Sequence, residues 1–221
     1  MATPAQLVHM VSSATGVPLP TIVDIDRKLV MGKLRTKGGR GFSAAQMTPL
    51  DAARLLTAVL ASPQANAAAE AVERYAITCP DRACSSDRLF ATAKIDELAT
   101  LPARHGFVDA LAALISSANT GSLARMMDGS REGWRPSIEV FAFTRATRGR
   151  IRISGLPQGL TAIVEYAPAT TAIKPQRGRR IRRIAVTDNG AGDLEQSRRI
   201  TERTILPIAE LLAAENRNDR A

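Results

Sequence analysis

The sequence predicts an α+β fold, and three features of its patterning carry that prediction. Apolar residues recur three and four positions apart from residue 4 to about residue 118, the spacing of helices with one buried side. From Pro136 the period changes to alternation, as in half-buried strands, and from Leu194 it returns to helical spacing. Gly, Pro and Ser clusters divide the chain into three segments. Residues 1–62 form a helix-turn-helix unit with a basic loop and a closing helix, and residues 63–136 a helical connector suited to dimerisation. Residues 137–221 form a small antiparallel sheet with a terminal helix. With 221 residues and 45% hydrophobic content the chain can fill a core, but only 4% is aromatic, so Leu, Ile, Val and Ala must do most of the packing.

The first helix is expected over Pro4 to Ala14, with Thr3 as N-cap and Pro4 at a first-turn position where a missing N–H costs nothing. Leu7, Val8, Met10, Val11 and Ala14 form its apolar side. Gly16 supplies the positive φ that a tight turn between steeply crossed helices needs, and Val17 plugs the core beside it. A second helix, from Leu19 or Pro20 to Met31, places Ile22, Ile25 and Leu29 on one face and Thr21, Asp24, Arg27 and Lys28 on the other. Gly32 ends it, Lys33 follows and Leu34 returns to the core. Arg35, Lys37 and Arg40 are then interleaved with Gly38, Gly39 and Gly41. A helix anchored by one face can present its polar face to base edges in a major groove, while glycines let backbone lie close to phosphate. The pattern predicts a winged helix-turn-helix that contacts duplex DNA through Thr21, Asp24, Arg27, Lys28, Lys33, Arg35, Lys37 and Arg40.

The stretch LVHMVSSATGVPLPTIVDIDRKLVMGKLRTKGGRG, residues 7–41, resembles the winged helix-turn-helix region of bacterial transcription regulators. In those proteins a recognition helix ends in a Gly-Leu-like element and runs into an R-x-x-G-R-G wing. It is also similar to the N-terminal modules of small proteins encoded by bacterial prophages and gene transfer agents. There a basic loop precedes a T-P-x-D-A-A-x-L-L helix, here Thr48-Pro49-Leu50-Asp51-Ala52-Ala53-Arg54-Leu55-Leu56. The resemblance covers the first 62 residues or so and implies a prophage-related, DNA-binding regulator. Independently of it, Thr48 at N-cap, Pro49 at N1 and Asp51 at N3 make a capping-box-like helix start with a carboxylate at the positive end. Leu55, Leu56, Val59 and Leu60 give that helix its apolar side, and Ser62-Pro63-Gln64 marks a boundary.

In the middle segment, helices are expected over Asn66–Ile77, Asp87–Leu101 and Phe107–Ala118, separated by the CPDRACSS and LPARHG loops. Strands are expected over Ile138–Thr144, Arg148–Ser154, Leu160–Tyr166 and Ile181–Thr187. In the second of these, Arg148, Arg150 and Arg152 share one face. A last helix over Leu194–Leu212 contains Pro207, which should kink or restart it. Between the third and fourth strands lies AIKPQRGRRIRRI, in which Lys174, Arg177, Arg179, Arg180, Arg182 and Arg183 form the densest cationic run. These residues, with Arg148, Arg150 and Arg152, are a second candidate surface for DNA phosphates. No aromatic is interleaved with the run, which disfavours stacking-based recognition of single strands or RNA.

The formal charge of +9 and pI near 10.5 fit a polyanionic partner, and the charge is patterned. Residues 1–65 carry seven Lys/Arg against three acids, and residues 137–187 carry ten against Glu139 and Glu165, while the segments between and after are near neutral or slightly acidic. Residues 1–16 lack the charge and apolar run of a targeting signal, and no segment approaches the roughly 18 apolar residues of a membrane span, so the expected compartment is the cytoplasm. Cys79 and Cys84 have no second ligand pair, and His9 and His105 stand alone, so neither a metal nor another cofactor is expected. KGGRG lacks the order of a phosphate-binding Walker loop, and no convergent catalytic cluster is visible, which argues against an enzyme. Three roles fit these features. The first is a transcription regulator that binds double-stranded DNA as a homodimer. The others are a DNA-packaging recognition subunit of small-terminase type, which assembles into rings, and an adaptor that contacts a protein of the transcription machinery.

Overall fold

In a computed structural model that describes residues 2–36, 45–81, 85, 90–128, 136–168 and 196–218, the chain begins with the cap its sequence predicts. The Thr3 N–H donates to Gln6 Oε1 at 2.7 Å and the Gln6 N–H to Thr3 Oγ1 at 3.3 Å, a reciprocal box that starts α1 (Pro4–Thr15). Gly16 ends α1 at φ 71°, and the Ser12 hydroxyl donates to Val17 O at 2.8 Å, which fixes the turn into α2 (Leu19–Met31). After α2 the left-handed residue is Lys33, at φ 57°, and not Gly32. Gly32 serves close approach instead, since an added Cβ would stand 3.0 Å from Ala69 Cβ, tighter than an ordinary contact.

The order continues with α3 (Pro49–Ala61), α4 (Ala68–Ala76), β1 (Thr78–Pro80), α5 (Asp96–Ala99), α6 (Phe107–Thr120) and α7 (Ser122–Asp128). It ends with β2 (Ser137–Phe143), β3 (Gly149–Ser154), β4 (Ala162–Pro168), β5 (Ser197–Thr201) and α8 (Glu202–Asn218). From Asp51 to Ala61, α3 is buried at every residue except Arg54. A helix apolar all round belongs inside a core, and α3 packs on α2, α4, α6, α8, β2 and β5. One continuous set of buried apolar side chains runs from Ala2 to Leu212.

The strands form one antiparallel sheet in the order β1-β4-β3-β2-β5. Ile138, Val140, Ala142, Ile151, Ile153, Val164 and Tyr166 alternate onto its buried face. Gly149 is required there, because a Cβ would lie 2.5 Å from the Phe107 ring. Phe107 packs edge-on against Tyr75 and Tyr166, at 5.2 and 5.5 Å. Buried His105 bridges Pro102 O and the Tyr166 hydroxyl at 2.8 Å each. Burial lowers its pKa, against the upward pull of the Pro102 hydrogen bond and Asp109.

The α+β class, the antiparallel sheet and the terminal helix agree with the sequence prediction; α7 (Ser122–Asp128) is a helix beyond the three expected in the middle segment, and three further segments differ. Residues 197–201 are a strand and not the start of the last helix. There the open edge of β2 takes Ile200 opposite Val140, and Arg198 Nη1 donates to Val59 O at 2.6 Å and Ser62 O at 3.0 Å, capping α3. Residues 90–101 do not continue a helix. Phe90 and Lys94, both at φ 52°, bracket a 3₁₀ turn at Ala91–Ala93, and only four residues of α5 follow. Thr78–Pro80, expected to lie in a loop region, form an edge strand on β4. The strand expected over Ile181–Thr187 lies outside the described residues.

Candidate nucleic-acid interface

Burial of Ile22, Ile25 and Leu29 turns the opposite face of α2 outward. On and beside that face Thr21, Arg27 and Lys33 are exposed and Asp24 and Lys28 half-buried. Val23 and Met31, 50% and 70% exposed, flank Arg27 four residues to either side. Arg27, Lys28 and Lys33 make no ion pair with a described acid.

Arg35 is placed differently. Its Nη2 donates to Asp26 Oδ2 at 2.9 Å, and its Nε lies 2.5 Å from Oδ1 in an ion pair without hydrogen-bond alignment, with both side chains nearly buried. Burial pushes the Asp26 carboxyl above its ordinary range, and Arg35 opposes this without cancelling it. Next to this pair, Asp51 accepts from the Thr36 N–H at 3.0 Å, the Thr48 N–H at 3.0 Å and the Thr48 hydroxyl at 2.7 Å, with the Thr36 hydroxyl at 3.2 Å. Burial alone would raise the Asp51 pKa, but these donors together hold it below the usual carboxylate range. Arg54 Nη1 donates to Leu34 O at 2.8 Å. Residues 34–36 are thus strapped to α2 and α3, and the Met47 N–H ties the far side to Ala2 O at 2.9 Å. Lys37, Arg40 and the glycines between them lie outside the described residues.

The second candidate set lies on the outer face of the sheet. In register, Arg150 stands between Phe141 and Glu165, and Arg152 between Glu139 and Ile163. Arg150 pairs with Glu165 at 2.7 Å, Arg148 with Glu165 at 3.7 Å, and Arg152 and Arg199 with Glu139 at 3.3 and 2.7 Å. Arg148 also lies 5.8 Å from the centre of the Phe143 ring. The arginines are half-exposed and the glutamates 15–17% exposed, so solvent screens each pair from the arginine side, its contribution is about 1 kcal/mol, and its main consequence is to offset charge. Four arginines share two glutamates on this face.

Lys174, Arg177, Arg179, Arg180, Arg182 and Arg183 lie outside the described residues. The chain leaves β4 and re-enters at β5 at the same end of the sheet, because Tyr166, Gly149, Ala142 and Arg198 stand side by side across four strands. The α2 set and the β3 set are on separate elements: α2 packs on α1, α3 and α4, while β3 is flanked by β2 and β4. Sequence reasoning missed Arg199, which sits in the segment read as helix. It also missed the pairing of Glu139 and Glu165, whose signal is the matching parity of acids and arginines once the hairpin register is set.

His9 is exposed, Cys79 is half-buried on β1, and Cys84 lies outside the described residues. Among the described residues no group of three or more His, Cys, Asp or Glu is placed to hold a metal ion, and no helix is long and apolar enough to cross a membrane. No protein-family model, curated protein or solved structure matches the chain.

Proposed function

We propose that the chain binds duplex DNA through the outward face of α2, as a prophage-related transcription regulator acting as a dimer. The observation that carries this reading is the contrast between the two cationic sets. Arg27, Lys28 and Lys33 stand without a carboxylate partner among the described residues, on or just beyond a helix whose other face is locked into the core, whereas the sheet arginines each face Glu139 or Glu165. Unpaired cations on a fixed helix can release counterions from phosphate and place side chains against base edges with little reorganisation. The clasp of Asp26, Arg35, Thr36 and Asp51 supports the same reading, since it sets the direction in which the chain leaves α2.

The test uses duplexes selected from a random pool by the full chain and fluorescence anisotropy over a salt series. Arg27→Ala combined with Lys28→Ala should weaken the selected duplex by about tenfold or more and reduce the slope of log K against log salt by about two. It should also narrow the gap between selected and random duplexes. Unchanged affinity and preference in the double variant would remove α2 as the reading element, and failure of the pool to yield any enriched duplex would remove sequence-specific binding.

A further inference from the structure

Four elements meet around a cleft of about 330 Å³: the end of α1 with the turn after it, the last turn of α3, strand β5 and the first turn of α8. Its lining combines two chemistries. Ala14, Val17, Val59 and Leu60 are apolar, while Arg198, Arg203, Thr15, Thr201 and Thr204 bring cations and hydroxyl groups. The volume is that of a small ligand, at the lower end of the roughly 300–1,000 Å³ of typical ligand pockets.

Two of the three arginines of this cleft, Arg198 and Arg203, are not matched by a described acid. Arg198 is held in place because its Nη1 donates to Val59 O and Ser62 O, and its other N–H groups donate to no described acceptor. Arg203 is exposed and makes no ion pair with a described acid. Glu202, its neighbour, is turned to the sheet, where its Oε2 accepts the Ile138 N–H at 3.0 Å. Arg199, the third arginine of the lining, is engaged by Glu139.

An independent observation comes from the ladder. The Thr144 N–H donates to Gln196 O at 2.8 Å, so the alternation of an antiparallel pair directs the N–H groups of Arg198 and Ile200 toward β2. The N–H groups of Arg199 and Thr201 then fall on the side of β5 away from β2, where β5 is the edge strand among the described residues, and both residues line the cleft. Among the described residues neither N–H has a hydrogen-bond acceptor. Fixed guanidinium and free backbone N–H groups are the donors that recognise an oxyanion, and the apolar lining suits a short hydrocarbon body attached to it.

We infer that this cleft binds a small organic oxyanion, a carboxylate or phosphate monoester carrying a ring-sized apolar group. The site is independent of DNA binding by α2, so the two readings stand or fall separately. The experiment is a ¹H–¹⁵N NMR titration of the full chain at constant ionic strength with phenyl phosphate, benzoate, inorganic phosphate and benzyl alcohol. Phenyl phosphate or benzoate should give saturable shifts centred on Val17, Arg199, Thr201 and Thr204. The stronger of the two should bind about tenfold or more tightly than inorganic phosphate or benzyl alcohol, and which one leads distinguishes a phosphate from a carboxylate ligand. Arg203→Gln, at an exposed position, should weaken that binding about tenfold with the melting temperature unchanged. Ala14→Phe, which fills the apolar part, should abolish it, and if that variant does not fold Arg203→Gln decides alone. Shifts spread over all cationic regions, absence of saturation, or equal binding by Arg203→Gln would overturn the site.

Discussion

Asp51 does two jobs, and only one of them can be read locally. Its place three residues after Thr48 marks a helix start, and the structure forms that reciprocal cap. Its second partner, Thr36, lies 15 residues away in sequence, and nothing in the spacing announces that one carboxylate will receive both strands of the loop. Asp51→Ala keeps the backbone N–H that donates to Thr48 Oγ1 but removes the carboxylate half of the box and leaves the Thr36 and Thr48 N–H groups without their acceptor, so it should cost about 2–4 kcal/mol in urea unfolding. Asp51→Asn isolates the charge. The folded-state pKa of Asp51 lies below its ordinary 3.8, so the unfolded chain binds the proton more readily, and the contribution of the charge is complete above that value. The stability gap between wild type and Asp51→Asn should therefore be constant near neutrality and shrink as the pH falls below 3.8 through the folded-state pKa. A gap that does not change with pH would mean that the carboxylate is not held as an anion. The Asp26–Arg35 pair has the opposite sign, because burial raises the Asp26 pKa and ionisation there opposes folding, so its use is to place residues 34–36.

At the scale of elements, legibility follows how local the determinants are. α1 and α3 carry their caps and α1, α2 and α3 their apolar spacing within their own sequences, and β2, β3 and β4 their alternation, so both the candidate DNA-binding helix and the three central strands are legible locally. β5 was not, because SRRIT has helical spacing with the residues after it and becomes a strand only when the edge of β2 is available. The 90–101 region differs for the converse reason: its apolar residues fit a helix, but buried Phe90 and exposed Lys94 adopt left-handed conformations that apolar spacing does not announce. Gly149 belongs to the same kind of non-local constraint. Its φ is not positive, so its necessity comes from the Phe107 ring, which is itself wedged between Tyr75 and Tyr166 and has little room to retreat. Gly149→Ala should destabilise the fold by about 1–3 kcal/mol, a fall of several degrees in melting temperature. An unchanged melting curve would show that the ring moves aside freely.

Over the whole molecule, the formal charge of +9 is not evenly available to a polyanion. By sequence, residues 137–187 have the larger cationic excess, yet the folded sheet sets Glu139 and Glu165 among Arg148, Arg150, Arg152 and Arg199, while Arg27, Lys28 and Lys33 near α2 pair with no described acid. Charge balance by segment is legible in a sequence, whereas neutralisation across strands depends on register, which joins residues 13 to 60 positions apart. This difference can be measured. Glu139→Gln with Glu165→Gln removes two negative charges from the outer face of the sheet and, with the partner arginines half-exposed, should cost about 1 kcal/mol of stability for each pair lost. If that face lies along DNA beside α2, random duplex should bind several-fold more tightly near 0.1 M salt, with a steeper dependence on log salt. The ratio of selected to random affinity should fall, because phosphate contacts add to both without reading bases. If affinity, slope and ratio all match wild type in anisotropy titrations, the sheet face is turned away from the duplex, and the DNA footprint among the described residues is confined to α2 and the residues that follow it.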